Sequence, residues 1–565
     1  MQFSDRIVII GGTACGPKAA ARTRRCNHNA KITIIEQEEN ISTAVCGLPY
    51  YISDVIRGRN NLVTRSPAYF SKVFDIKVLT HTRAVSIDRE SHIIRFVDLK
   101  DNKSMEEAYD KLVIATGSLP IVPNIDGASL GGIITLKKIQ DAETLKNILS
   151  SHKINKVVII GAGLIGLEMA EVFRSLGIEV TIIEALDRLL PKLLDFEVAT
   201  YIERYLKSQG IEFQFGQRVR SFEGNQQGWV QKVVTDDLEI ETQLVILAIG
   251  NKPNTELASR AGIILGPTGG IAVDKYLQTS DPDIYAGGDC VETVHHITKQ
   301  KVLVPLGSTA NKHGRIIGSN LGGNYETCPD VLATSIVKVI NYNIGCVGLN
   351  ESQARDNGYE IFTSLVPSYD HATYYPGGRQ ILIKLTANKV NGQLLGGQIV
   401  GPGDVAKRID VLVTALHFGA TVNDLANLDL AYAPPYNSAL DPLHHAANIV
   451  RNKMSGYAKT LSPMEVKRKL NDKDDYVLLD VRSPMEWQNN RLTSNQVLFI
   501  PIHEIRSRLH EIPASKEIIA YCQTSVRAYQ VQCILNGAGF SNVKFMDGSI
   551  AAWPYDLESG YSINS

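Results

Sequence analysis

Val157-Val158-Ile159-Ile160-Gly161-Ala162-Gly163-Leu164-Ile165-Gly166 decides the fold. Four apolar β-branched residues make a buried strand, and the six that follow match the G-x-G-x-x-G turn in full. Glycine there lets the backbone approach a pyrophosphate at a helix N-terminus, where unpaired N–H groups favour an anion. A helix over residues 167–176 follows, then a strand over 180–183 that ends on Glu184. An acid at that point takes a ribose hydroxyl and repels a 2′-phosphate, which favours NADH over NADPH. The candidate contacts are Gly161, Gly163, Leu164, Ile165, Gly166 and Glu184.

Upstream lies a second copy. Ile7-Val8-Ile9-Ile10 enters Gly11-Gly12-Thr13-Ala14-Cys15-Gly16, an Ala-rich helix spans 18–25, and a strand over 31–35 ends on Glu36-Gln37. Thr13 stands where the second glycine is expected, and Cys15 inside the turn is unusual. Two turns imply two dinucleotides, FAD and a nicotinamide. Gly11, Gly12, Thr13, Ala14, Gly16, Glu36 and Gln37 are the candidate contacts here. Two strand-to-glycine segments, ending in Ala115-Thr116-Gly117 and in Ala248-Ile249-Gly250, read as chain crossings between the nucleotide domains. A third, Tyr285-Ala286-Gly287-Gly288-Asp289, places Asp289 to accept hydrogen bonds from a polyol.

Past Glu36 comes Ser42-Thr43-Ala44-Val45-Cys46-Gly47-Leu48-Pro49-Tyr50-Tyr51-Ile52, with Cys46 ten residues beyond that acid. Tyr51 and Ile52 occupy the positions where a second cysteine would stand. A lone thiol beside a two-electron donor cannot close an internal disulfide. It pairs with an outside sulfur or becomes a sulfenic acid.

The bulk numbers exclude several classes. With 58 basic and 59 acidic residues and no basic arm, nucleic acid is not an expected partner. No apolar run reaches a membrane span. The chain runs from Met1 into a strand without a signal peptide, and its eight cysteines include no CxxC, which together point to the cytoplasm. The pairs His295-His296 and His444-His445 lack metal spacing and are expected at the surface or on helices, so no metal is expected.

The tail begins anew. Ser455-Gly456 breaks a helix, and Ser462-Pro463-Met464-Glu465 has the capping-box spacing. The strand Ile518–Tyr521 opens through Cys522 into Gln523-Thr524-Ser525-Val526-Arg527 and a helix. A cysteine there faces unpaired backbone N–H groups that stabilise a thiolate or a persulfide anion, and Arg527 adds positive charge.

The order of first turn, lone cysteine, ATG, second turn, AIG and GGD resembles the flavin-dependent pyridine nucleotide–disulfide oxidoreductases. Cys46-Gly47-Leu48-Pro49-Tyr50-Tyr51-Ile52 is similar to the single-cysteine branch, which holds coenzyme A disulfide reductases, NADH oxidases and persulfide reductases. The likeness covers about residues 1–453. Asp480-Val481-Arg482, Glu486-Trp487, Cys522 to Arg527 and Asp547-Gly548-Ser549 with Trp553 resemble a single-domain rhodanese, with two departures. Ser525 replaces a glycine, and Asn489-Asn490-Arg491 replaces a Gly-His.

The resemblance implies an α/β chain: two Rossmann-like dinucleotide-binding domains, an α+β dimerisation domain and a C-terminal α/β rhodanese-like domain. The expected bounds are 1–122 with 250–325 for FAD, 123–249 for NADH, 326–453 for dimerisation, 454–461 as linker and 462–565 for the tail. It implies a homodimer in which Tyr374 and Tyr432 reach the partner's cysteine, with Tyr375 and Tyr436 as neighbouring alternatives. Asp289 would hold the ribityl chain, and Cys522 would carry sulfane sulfur from a thiosulfate-type donor. Coenzyme A contacts fall on Lys18, Arg22, Arg25, Ser42, Lys72 and Lys312, while Val45 and Leu440 replace polar family residues. The implied activity passes electrons from NADH through FAD and Cys46 to a persulfide, polysulfide or coenzyme A disulfide. Two alternatives remain: an NADH oxidase or peroxidase cycling Cys46 through sulfenic acid, and a flavin-bound redox sensor without turnover. The sulfur-carrying tail argues against oxygen chemistry.

Overall fold

The structure, a computed structural model, describes residues 5–472 and 475–559. The chain forms two compact units, Met1–Ala185 with Glu212–Val331, and Leu186–Ile211 with Leu332–Ser565.

The first unit holds two five-stranded sheets of the same design. One has the order Ile284–Ala286, Lys111–Ile114, Arg6–Ile10, Lys31–Ile35, Lys77–Leu79, and its pairs are parallel. The other has the order Ile211–Phe215, Glu179–Glu184, Lys156–Ile160, Leu244–Leu247, Ile133–Thr135. In each, the strand that feeds a glycine turn is central and buried on both faces, which is why these strands are apolar throughout.

Both helices after the turns start earlier than the sequence reading places them, at Cys15 and at Leu164. The last glycine of each motif lies inside the first helical turn because it must pack on the strand. A Cβ on Gly16 would stand 1.9 Å from the Gly11 carbonyl oxygen, and one on Gly166 2.1 Å from that of Gly161. A further glycine row escaped the sequence reading. On the helix Gly307–Leu321 and its C-cap, Gly314, Gly318 and Gly322 face the helix Cys15–Cys26. A Cβ at Gly318 would come within 2.5 Å of the Arg22 Cβ, so only glycine permits this approach.

The second unit contains an antiparallel sheet, ordered Ser335–Val339, Tyr342–Gly348, Leu394–Gly401, Gln380–Asn388, Ile361–Tyr369, with the helices Ala406–His417 and Pro442–Met454. The helix Phe196–Ser208 belongs to this unit, although the sequence places it within 123–249. The reason is Lys384, fully buried on the sheet, whose ammonium pairs with Asp195 at 3.0 Å, Glu197 at 2.9 Å and Glu351 at 2.8 Å. Arg408, equally buried, pairs with Asp441 at 3.0 Å and donates to the Asp370 carbonyl at 2.7 Å and to the Asn437 side-chain oxygen at 3.3 Å.

The tail adds a parallel five-stranded sheet: Thr460–Leu461, Val543–Met546, Glu517–Tyr521, Tyr476–Asp480, Val497–Phe499. Ser462 caps its first helix as the spacing predicts, with Glu465 N–H donating to its hydroxyl at 3.2 Å.

His295 departs from expectation. It is buried and lies outside any helix, and its Nδ1 accepts from the N–H groups of Ile297 and Thr298. His444 is also buried, but on a helix, where its Nδ1 accepts from Asp441 N–H at 3.1 Å. Among the described residues no helix is long and apolar enough to cross a membrane.

Candidate active site

The two glycine turns are built alike. Gly11 and Gly161 take φ of +108° and +106°, and each following residue donates its N–H to the strand-end acid. Gly12 reaches Glu36 at 2.5 Å and Ala162 reaches Glu184 at 2.9 Å. A Cβ on Gly163 would meet only the Ala248 carbonyl oxygen, at 3.9 Å, and one on Gly117 would meet nothing within 4 Å. These positions open onto free space, as a bound pyrophosphate needs. Thr13, the counterpart of Gly163, is exposed, so its side chain costs the turn nothing sterically. Ala14, Gly16, Ala115, Thr116, Leu164, Ile165 and Gly166 line or support the turns, and Gln37 is exposed beside Glu36.

The two strand-to-glycine segments come together in the structure. Gly117 and Gly250 both have positive φ, and the strands Ser118–Pro120 and Asn251–Pro253 pair directly behind them. Asp289 follows Gly288 and accepts from the Ser118 hydroxyl at 2.9 Å and from the Lys137 ammonium at 3.2 Å. Neither partner carries a motif signal. His313 is a further group that escaped notice. Its Nδ1 accepts from Gly288 N–H at 3.2 Å, and its buried Nε2 has no partner among the described residues. Burial pushes it down to about 4, so it stays neutral. The glycine space, the two acids and this orphaned nitrogen fit a dinucleotide with a polyol arm.

Cys46 is exposed, in a short turn that leads into the helix Leu48–Ile52. The segment before it is pinned to the first turn, because Ser42 N–H donates to the Gly12 carbonyl at 2.6 Å. Although the residue reaches the surface, partial loss of water around its thiol, then the charges of Glu168 and Asp289, push Cys46 above its ordinary value, and Lys137 opposes them. Glu168, on the second fingerprint helix, is itself raised to about 7 by burial and by Glu171. Cys15, the unusual residue of the first turn, is buried in the core against Gly287.

In the second unit the hydroxyls of Tyr374 and Tyr432 share a hydrogen bond of 3.1 Å, and both rings are exposed, at 74% and 49%. That bond holds the Tyr374 phenol above its ordinary value. Tyr375 packs edge-on against His371 instead, and Tyr436 and Leu440 are exposed. Of the residues assigned to coenzyme A, Lys18, Arg25, Lys72 and Lys312 are exposed cations, and the Ser42 hydroxyl bonds that of Thr64. Arg22 differs: its guanidinium donates to Ser319 at 2.8 Å and pairs with Glu326 at 3.4 Å.

Cys522 ends the strand Glu517–Tyr521 and is fully buried. Its N–H donates to the Ser549 hydroxyl at 3.2 Å, and its carbonyl accepts from Ile550 N–H at 3.2 Å. Ser525 takes φ of +77°, the left-handed conformation that its glycine counterpart would adopt without strain, and its hydroxyl donates to the Met546 carbonyl at 3.1 Å. Arg527 forms a two-armed ion pair with Glu486 at 2.6 and 2.8 Å, which holds Glu486 at about 2. Asn490, the other departure, secures the buried Asp480–Arg482 pair by accepting from Arg482 through its side chain and its carbonyl.

Residues 5–314 match the family model of the pyridine nucleotide–disulphide oxidoreductases, 334–444 match that family's dimerisation domain and 462–555 match the rhodanese-like domain. The chain belongs to the pyridine nucleotide–disulphide oxidoreductase family. Among its relatives, the NAD(P)H coenzyme A polysulfide/persulfide reductase of Pyrococcus horikoshii is 38% identical over 449 residues, 80% of this chain and 99% of that one. The NADH oxidase of Methanocaldococcus jannaschii is 34% identical over 450 residues, again 80% of this chain and 99% of the relative. The solved NAD-dependent persulfide reductase of A. fulgidus superposes with a TM-score of 0.92 at 42% identity, covering 97% of this chain and all of that one.

Proposed function

We propose that this protein is a homodimeric, cytoplasmic NAD(P)H-dependent reductase of coenzyme A persulfide, polysulfide or disulfide, with a sulfur-carrying tail. The observation that carries the reading is exposed Cys46, with no second cysteine in its segment, pinned through Ser42 to a dinucleotide turn whose own acid is already in place. The functional division is 1–122 with 250–325 for FAD, 123–249 for the nicotinamide, 326–453 for dimerisation, 454–461 as linker and 462–565 for sulfur transfer.

FAD would be held by the first turn, Glu36, Gln37, the 115–117 segment and Asp289; bound there, it relays the electron pair of NADH to sulfur. The nicotinamide dinucleotide falls to the second turn, where Glu184 favours NADH. Cys46 as thiolate attacks a sulfur of coenzyme A disulfide, or the carbon-bound sulfur of a coenzyme A persulfide or polysulfide, so that a mixed disulfide with coenzyme A results. A new S–S bond forms at Cys46, the old one breaks, and thiolate or hydrosulfide leaves. Tyr374 and Tyr432, hydrogen-bonded to each other, protonate the leaving sulfur across the dimer in this reading, which their exposure and shared hydrogen bond support. Two electrons and one more proton then regenerate the Cys46 thiolate and release the second thiol. Lys18, Arg25, Lys72 and Lys312 supply the cations a polyphosphate carrier needs, with Arg22 and Ser42 beside them. Cys522 and Arg527 hold sulfane sulfur delivered by a thiosulfate-type donor.

The test is Cys46→Ser. Stopped-flow reduction by NADH stays intact and reduction of coenzyme A disulfide is abolished; surviving turnover rejects the mechanism. Cys522→Ser spares small persulfides and loses sulfur transfer from thiosulfate. The name of the Methanocaldococcus relative keeps oxygen as the competing acceptor. Rapid reoxidation of the reduced protein by oxygen alone, with slow reoxidation by coenzyme A persulfide, would favour that reading.

A further inference from the structure

The loop that carries Cys522 is not held by its own domain alone. Cys522, Gln523 and Ser525 are hydrogen-bonded to the segment Met546–Ala551: Cys522 N–H to the Ser549 hydroxyl, Ile550 N–H to the Cys522 carbonyl, Ala551 N–H to the Gln523 carbonyl, and the Ser525 hydroxyl to the Met546 carbonyl. Gly548 and Ser549 make a tight turn there, with φ of +67° and +48°.

That turn rests on the sheet and helix that precede the tail. Asp547 is buried and pairs closely with the Lys453 ammonium at the end of the helix Pro442–Met454. Lys453 donates at 2.6 Å to the Thr363 carbonyl on the strand Ile361–Tyr369, and the Thr460 hydroxyl completes the Asp547 carboxylate at 3.2 Å. On the same strand, Leu365 lies 3.2 Å from where a Gly548 Cβ would stand. Next to it, Arg204 donates to the Trp553 carbonyl at 2.7 Å.

We propose that Lys453 is a positioning residue for the sulfur-carrying cysteine: through Asp547 it clamps the Gly548-Ser549 turn to the dimerisation sheet and so fixes the Cys522 loop. Sulfur transfer by the tail then depends on the body of the second unit, and the tail is not an independent module. This rests on the reading of Cys522 as the sulfur carrier. A lysine suits the task because its compact ammonium satisfies a carboxylate and a strand carbonyl at once, and removing it leaves a buried carboxylate unpaired.

The experiment uses full-length Lys453→Met, with Lys453→Arg as the conservative variant. In Lys453→Met the kcat for sulfur transfer from thiosulfate to cyanide falls about tenfold with little change in KM, as expected when a reacting group is misplaced. NADH-dependent reduction of coenzyme A disulfide stays within about twofold, because no step of that chemistry uses the clamp. Lys453→Arg recovers most of the transfer. Transfer unchanged in Lys453→Met, or both activities lost in parallel, overturns the proposal. If the wild-type protein transfers no sulfur from thiosulfate, the carrier reading fails by itself. The clamp is then judged by iodoacetamide labelling of Cys522, with Cys46 in the same sample as control. Faster labelling of Cys522 alone in Lys453→Met supports the clamp, and equal ratios reject it.

Discussion

Glu168 bears on the Cys46 thiol although no motif announces it. It sits two residues past the last glycine of the second turn, on the helix Leu164–Ser175, and its carboxyl is raised to about 7 by burial and by Glu171. Its charge adds to the burial that already pushes Cys46 and Tyr50 up. The sign follows directly. Below about pH 7 Glu168 is neutral and leaves Cys46 alone; above it, the carboxylate opposes thiolate formation. Glu168→Gln therefore leaves iodoacetamide labelling of Cys46 unchanged near about pH 6 and speeds it several-fold near about pH 8. Coinciding pH profiles for the two proteins would show that the carboxylate does not act on the thiol. Ser525 teaches a different lesson. Its side chain argues against a left-handed position, yet the loop keeps that conformation, with the Ser525 hydroxyl donating a hydrogen bond to the Met546 carbonyl.

Among the elements, the helix Phe196–Ser208 is the one whose place a local pattern misses. Its sequence follows the second nucleotide fingerprint, but Asp195 and Glu197 at its start commit it to Lys384, nearly two hundred positions away. Burial by itself would push Glu351, the third partner, up; Lys384 and then Arg355 outweigh it and hold it at about 2. Lys384→Met strands buried carboxylates and is expected to cost about 3–5 kcal/mol of stability at neutral pH. A carboxyl held below its ordinary 4.5 contributes stability above that value and loses it as pH falls through about 2. The deficit of the variant thus narrows between those limits. Urea unfolding followed by circular dichroism across that range checks it, and a deficit independent of pH rejects the ion-pair account.

At the scale of the whole molecule, the exposed Tyr374–Tyr432 pair, in a segment that matches a dimerisation domain, has its proposed use in a second copy of the chain. Chains carrying Cys46→Ser and chains carrying Tyr374→Phe with Tyr432→Phe are each nearly inactive as homodimers under that proposal. Mixed dimers regain one working site of two, since the intact cysteine then meets intact tyrosines from its partner. No recovery after mixing, with heterodimers verified by mass, places the tyrosines beside their own chain's cysteine or nowhere near it. The sequence by itself determined the two nucleotide sheets, the lone Cys46 and the Cys522 loop. Each is written in a short contiguous run, an apolar strand, a glycine turn or a cysteine before a helix, whose geometry follows from backbone stereochemistry. Only the tertiary structure decided that Glu168 acts on Cys46, that Lys384 gathers three acids, that Lys137 holds Asp289 and that Lys453 braces Asp547. Such pairings join residues tens to hundreds of positions apart, and a solvated charge looks the same in sequence as a buried one until packing has removed the water around it.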